Sequence, residues 1–206
     1  MRIKTFVAAA VLGLPAVASA QSPDTLSLEG RNALSVGFGL NGSSSSSASA
    51  DGTASHSDGQ VAAIAFSHWI RPTIAFEVTA AVLGAEATAA PGRTYNNSLT
   101  PLLLGFSVSP RSFAITRTLR PYLSAAVGPY IHTVSQVSGG STSNEVESSA
   151  GARLGVGANW FVARHFLVGL EGDYHAVHKF DHPDALTKDP SGFGLLFKLG
   201  FAWGGK

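Results

Sequence analysis

The 206-residue chain contains no cysteine, so neither a disulfide framework nor a thiolate metal centre is available to it. Asp, Glu, Lys and Arg together make up 13% of the residues, about half of the ~25% with which a soluble domain covers its surface. Something other than water must therefore face much of the folded chain. Long apolar runs are also missing: after the N-terminal region no stretch approaches the roughly 18 uninterrupted apolar residues of a membrane helix. Nor is there an excess of one charge. With Arg2 and Lys4 set aside, 12 basic residues stand against 13 acidic ones, which gives no electrostatic basis for nucleic acid as a partner.

What is present begins at the N-terminus. Arg2 and Lys4 precede an apolar run from Phe6 to Val17, followed by Ala18-Ser19-Ala20 just before Gln21. This is the layout of a secretory signal peptide with its cleavage point between Ala20 and Gln21, and the run is too short to span a bilayer, which takes about 20 residues. An exported chain with few charges and no membrane helix has a closed β-barrel as its remaining way to satisfy every backbone group in lipid. The expected organisation is a signal peptide over residues 1–20, a short periplasmic segment over 21–30 and an outer-membrane β-barrel over 31–206.

Alternation with period two recurs through the mature sequence, and a strand sends alternate side chains to opposite faces. In the first run Leu34, Val36, Phe38 and Leu40 share a face against Ala33, Ser35, Gly37, Gly39 and Asn41. Further runs follow over Gln60–Ile70, Ile74–Val82, Leu99–Val108, Pro121–Ile131, Arg153–Trp160, Phe166–Tyr174 and Phe193–Trp203. In each, large apolar residues oppose small or polar ones. His68 and Trp69 blur the second run and are expected at a membrane interface. Pro101 and Pro129 each remove a ladder donor and are expected at bulges or strand ends. Short connections (Ile70 to Thr73, Val162 to His165) alternate with long ones (Gly42 to Asp58, Ala87 to Asn97, Ser135 to Glu147, Lys179 to Pro190), as an up-and-down barrel with short periplasmic turns and longer extracellular loops requires. The connection from Ser109 to Arg120 is longer than that rule expects, with room for a strand extension near Phe113 to Thr116. The predicted fold is an all-β, eight-stranded antiparallel transmembrane barrel.

Charge decides which face points inward. A Lys or Arg facing lipid at mid-bilayer costs roughly 2–4 kcal/mol, whereas in the lumen it can find a partner. Glu77, Arg153, Glu171, Asp173 and Lys198 all fall on the small face, so the small face is the lumen and these five are expected to form a charge network there. A soluble barrel of lipocalin type would invert this arrangement and need a charged exterior, which the Gly, Ala and Ser of the small face do not supply.

Two other groupings carry less. His175, His178, Asp181 and His182 are the residue types of a metal site, but His175 and His178 are three apart and point to opposite faces of a strand, so no metal and no cofactor is predicted. Ser67-His68 and His56-Ser57 are neighbours in sequence yet do not converge as a nucleophile and base must, so no catalytic residues and no enzymatic activity are expected. The stretch from Asn41 to Gln60, with five consecutive serines, cannot bury enough apolar area to fold alone and reads as a solvated surface loop.

The segments Arg120-Pro121-Tyr122-Leu123-Ser124-Ala125-Ala126-Val127-Gly128, Gly157-Ala158-Asn159-Trp160-Phe161 and Leu167-Val168-Gly169-Leu170-Glu171-Gly172-Asp173-Tyr174 resemble the small outer-membrane β-barrel domain family of opacity-protein and OmpA-like barrels. The resemblance spans essentially the whole mature chain. It implies a cell outer membrane location, with outer-membrane lipid and the barrel assembly machinery as partners. Such barrels usually end in an aromatic residue; here Phe201 and Trp203 are followed by Gly204-Gly205-Lys206. The expected role is structural or surface-interacting, with an extracellular ligand or host surface at the loops of a monomer. A narrow channel for small or apolar solutes is the alternative, and a lipid-active membrane enzyme stands behind it.

Overall fold

The computed structural model describes residues 27–43, 55–56, 59–89, 93–110, 118–138, 141–178 and 191–205. Their strands are β1 (Arg31–Ser43), β2 (Ser55–His56), β3 (Gly59–Arg71), β4 (Ile74–Ala89), β5 (Arg93–Val108), β6 (Leu119–Ser138), β7 (Ser141–Phe161), β8 (Phe166–Val177) and β9 (Gly192–Gly204). All but the two-residue β2 form a closed antiparallel barrel. Each strand pairs with its neighbours in sequence, and β1 closes the ring against β9 from Arg31↔Gly204 to Ser43↔Gly192. The predicted signal sequence, its Ala20–Gln21 junction and the serine run beyond Ser43 lie outside the described residues, as do Phe113 to Thr116.

Alternation fixes the register. Leu34, Val36, Phe38 and Leu40 on β1 lie beside Phe201, Leu199, Phe197 and Leu195 on β9, and all eight point outward, at 41–60% exposed. Around the rest of the ring Leu104, Phe106, Leu123, Val127, Leu154, Val156, Phe166 and Leu170 continue the same apolar belt. Such a belt is stable only against hydrocarbon, and it makes this a transmembrane barrel; a soluble barrel would carry these side chains inside. Toward the end that holds the chain termini, the turn end, Phe66, Phe166, Phe201 and Trp203 make a partial aromatic girdle, with Phe201 and Trp203 stacked at 6.2 Å.

Three expectations need correction. Trp69 is no interface residue: it has the parity of Ser67 and Ala65, points inward at 7% exposed and packs edge-on against Phe161. His68 faces outward and hydrogen-bonds Asn32 at 2.9 Å. Pro101 and Pro129 sit inside β5 and β6 without a bulge or strand end; Pro101↔Tyr130 and Leu104↔Val127 keep one registration, so the missing donors interrupt the ladder without shifting it. Finally, Ala87 to Asn97 and Ser135 to Glu147 are largely strand. Above the bilayer neither face has to be apolar, so the strands continue after the period-two signal has faded.

Those continuations make the barrel uneven. β8 has 12 residues, close to the 9–11 that span a bilayer when tilted, whereas β6 and β7 have 20 and 21. The wall formed by β4 to β7 therefore rises past the wall formed by β8, β9, β1 and β3 at the end opposite the termini, the loop end. The two ends also differ in charge. Among the described residues the loop end holds Glu86, Glu145 and Glu147 against Arg93, while the turn end holds Glu29 against Arg31, Arg71, Arg120 and Arg164.

Candidate functional site: the lumen

The lumen is built from the small face. Gly155 and Gly157 on β7 leave the space that Glu171 and Tyr122 occupy: a Cβ at residue 155 would stand 2.6 Å from Glu171 Oε1, and one at residue 157 would stand 2.6 Å from the Tyr122 hydroxyl. Small residues and charges share a face because the charges need the room that the small residues give.

Glu171 is the centre of the cluster, with its side chain 2% exposed. Its Oε2 accepts hydrogen bonds from the Tyr122 hydroxyl at 2.7 Å and from Lys198 Nζ at 2.6 Å; its Oε1 accepts one from Ser124 Oγ at 3.3 Å and lies 3.7 Å from Arg153 Nη2. Lys198 also donates to the Tyr122 oxygen. Arg153 reaches on to Glu77 Oε2 at 3.7 Å, and Ser67 Oγ lies 3.5 Å from the other oxygen of that carboxylate. Two acids and two bases are thus joined into a group with no net charge. A buried charge is tolerated when it is paired and its remaining lone pairs are occupied, and Glu171 meets both conditions.

Four of the five expected charges are in this group. The fifth, Asp173, lies one inward position further along β8, about 6.6 Å at 3.3 Å per residue. It pairs with His175 Nε2 at 3.4 Å, and His175 Nδ1 is 2.8 Å from the Tyr130 hydroxyl. The expected single network is therefore two: a neutral four-charge cluster, and an Asp173–His175–Tyr130 chain above it. Tyr122, Ser124 and Tyr130, which share one face of the Pro121–Ile131 run, are the partners that the charges alone do not point to. Their parity on β6 was the available signal. His178 is exposed at the end of β8, away from the buried His175, and Asp181 and His182 lie outside the described residues.

Apolar side chains close the space on both sides of the charges. Toward the turn end lie Leu28, Ala33, Trp69, Ala75, Phe161, Leu167 and Ala202. Leu28 is carried there by a turn in which Gly30, at φ 74°, donates to Trp69 O at 2.8 Å. Toward the loop end lie Val61, Leu83, Leu99, Leu103, Tyr130, Val177 and Leu196. Between the layers is a cavity of about 20 Å³ lined by Glu77, Arg153, Asn159, Glu171 and Lys198 among others, enough for a water molecule. Arg153 Nε and Asn159 Oδ1 have no protein partner and are the groups such a water would bond.

No protein-family profile matches the chain, and no curated protein sequence does. Solved structures do. The chain is similar to the outer membrane protein OprG from Pseudomonas aeruginosa, with a TM-score of 0.61 and 16% identity over 86% of this chain and 97% of that one. It is similar to Ail, the attachment invasion locus protein of Yersinia pestis, with a TM-score of 0.56 and 12% identity over 85% and 99%; that protein is also known in complex with the heparin analogue sucrose octasulfate. Neisserial surface protein A matches with a TM-score of 0.54 and 17% identity over 84% and 96%. At these identities the likeness is one of fold: an eight-stranded outer-membrane barrel.

Proposed function

We propose, from that fold as the premise, that the chain resides in the outer membrane of a Gram-negative-type envelope and acts at the cell surface through its loop end, with a lumen that serves as a structural plug. The observation that carries this reading is the neutral charge cluster held between two apolar layers. An open path for ions or polar solutes would need continuous water from one mouth to the other, and eight strands enclose a space that side chains can fill. Here they do so in three layers.

Two neighbours, an attachment protein and a surface protein by name, lend the surface role their support. The Asp173–His175 pair favours a barrel without lipid-hydrolysing chemistry, because the hydroxyl facing His175 belongs to Tyr130, itself buried, in place of an accessible serine. The test is planar-bilayer conductance of refolded protein, with the boiled-versus-unboiled gel shift as proof that the barrel has closed. Silence from closed barrels is the expected result. Discrete, reproducible current steps would replace the surface reading with the channel.

A further inference from the structure

On its lipid-facing side the turn end carries a strip of rings that crosses the neighbouring strands β3, β1, β9 and β8. Phe66 and Trp203 stand 6.3 Å apart, Trp203 stacks on Phe201 at 6.2 Å and 21°, and Phe201 stacks in turn on His165 at 5.7 Å and 22°. His165 is held twice: its carbonyl accepts from the Ala202 N–H at 2.7 Å, and its Nδ1 lies 2.8 Å from Ala202 O. A carbonyl oxygen only accepts, so Nδ1 carries the proton and Nε2 is turned away from Ala202. At the other end of the strip Asn32 lies between His68 and Trp203 and bonds the His68 ring, which gives the rings a polar edge.

Beside His165 the fold brings two cations together. Arg31, 3% exposed, reaches past β9 and donates from Nη2 to Arg164 O and, at 3.5 Å, to Ala202 O. Both acceptors are neutral carbonyls. Arg164 itself is exposed in the turn between β7 and β8, near enough to Arg31 for the two guanidinium groups to repel each other. A like-charged pair of this kind is stabilised by an anion placed against it, and Arg164 is the member that an outside group can reach.

We propose that Arg164 and the His165, Phe201 and Trp203 rings form a site for the phosphate of an anionic phospholipid head group in the leaflet at the turn end. The proposal rests on the outer-membrane reading above and adds a ligand at the end opposite the loops. Short connections put the turn end at the periplasmic leaflet, and a belt of aromatic rings marks the depth at which head groups lie. A guanidinium group fits two phosphate oxygens at once, and the rings beside it would pack the glycerol and the first methylenes of the chains. Other occupants fit worse. A zwitterionic lipid would bring a third cation to the Arg31–Arg164 pair. A free phosphate would meet the same charge but leave the rings unused.

The experiment titrates short-chain phosphatidylglycerol into the refolded full barrel in uncharged maltoside micelles and follows the Arg164 Nε–H and Trp203 Nε1–H resonances, with short-chain phosphatidylcholine and soluble glycerol phosphate as comparison ligands. The expected result is saturable shifts at both groups with phosphatidylglycerol and at least tenfold weaker binding of the other two. Arg164→Gln keeps the backbone carbonyl that Arg31 uses, so it should keep the gel shift and weaken binding about fivefold. Trp203→Ala should weaken it as well, whereas Arg71→Gln, in the exposed turn between β3 and β4 and outside the strip, should leave it unchanged. Equal binding of the two lipids would overturn the charged site in favour of a general girdle, and equal binding of glycerol phosphate would overturn it in favour of a soluble anion. Equal losses in Arg71→Gln and Arg164→Gln would overturn it in favour of the charge of the whole end. No saturable binding overturns the site altogether; if Asp24→Asn then restores binding, the chain's own carboxylate is the occupant. Failure here leaves the closed lumen standing, since conductance reads that separately, and current steps from a barrel that binds the lipid would do the reverse.

Discussion

The barrel body and its loop-end wall obey opposite rules. In the body every strand has two neighbours and the four central charges cancel one another, so any change leaves something unmatched. In the upper part of β6 and β7 the described side chains are mostly polar or solvated. The same alternating chain is thus rigidly specified where lipid and a closed lumen bound it, and permissive where water does. Specificity in this molecule comes from what surrounds the strand more than from strand propensity.

The sharpest way to break the contrast is Glu171→Ala, which strands Lys198 in the lumen and leaves Arg153 with Glu77 alone. Removing one partner of a buried pair should cost about 3–5 kcal/mol, read as a fall in the urea midpoint for loss of the gel shift. Replacing both Glu171 and Lys198, by Leu and Met, should recover a large part of that loss, because the group is then smaller and fewer charges stay unmatched. A smaller effect is expected one layer up, where Tyr130→Phe takes a hydroxyl from His175 and should cost about 1 kcal/mol by the same measurement. In the loop-end wall Val146→Thr should stay within about 0.5 kcal/mol of wild type, as surface substitutions do. A loss there as large as that of Glu171→Ala would erase the distinction between the two regions.

Much of the body is legible from sequence alone. The parity of Leu34 to Leu40 or Phe193 to Trp203 assigns faces outright, and charge on the small face gives the direction inward. The failures have particular causes. Trp69 departs from expectation because its size matches the girdle better than the small face, whereas it belongs to the apolar floor of the lumen. The upper halves of β6 and β7 look like loop in the sequence because a hydrated hairpin has no apolar face to announce it. The split of the charge network follows from which inward positions reach across the barrel. That depends on the shear between strands, a quantity no single strand carries.

The cluster around Glu171 has a consequence for how the barrel is put together. Its members come from β4, β6, β7, β8 and β9, and Lys198 arrives on the last strand of all. A slip of one residue in β8 would turn Glu171 toward lipid, and a ring without β9 would leave it facing Arg153 alone in a half-open trough. Only the finished, correctly staggered ring neutralises the interior. The charges therefore check the assembly as it closes: a mis-registered or incomplete barrel keeps an energetic defect at its centre, and that defect is relieved by the closing strand.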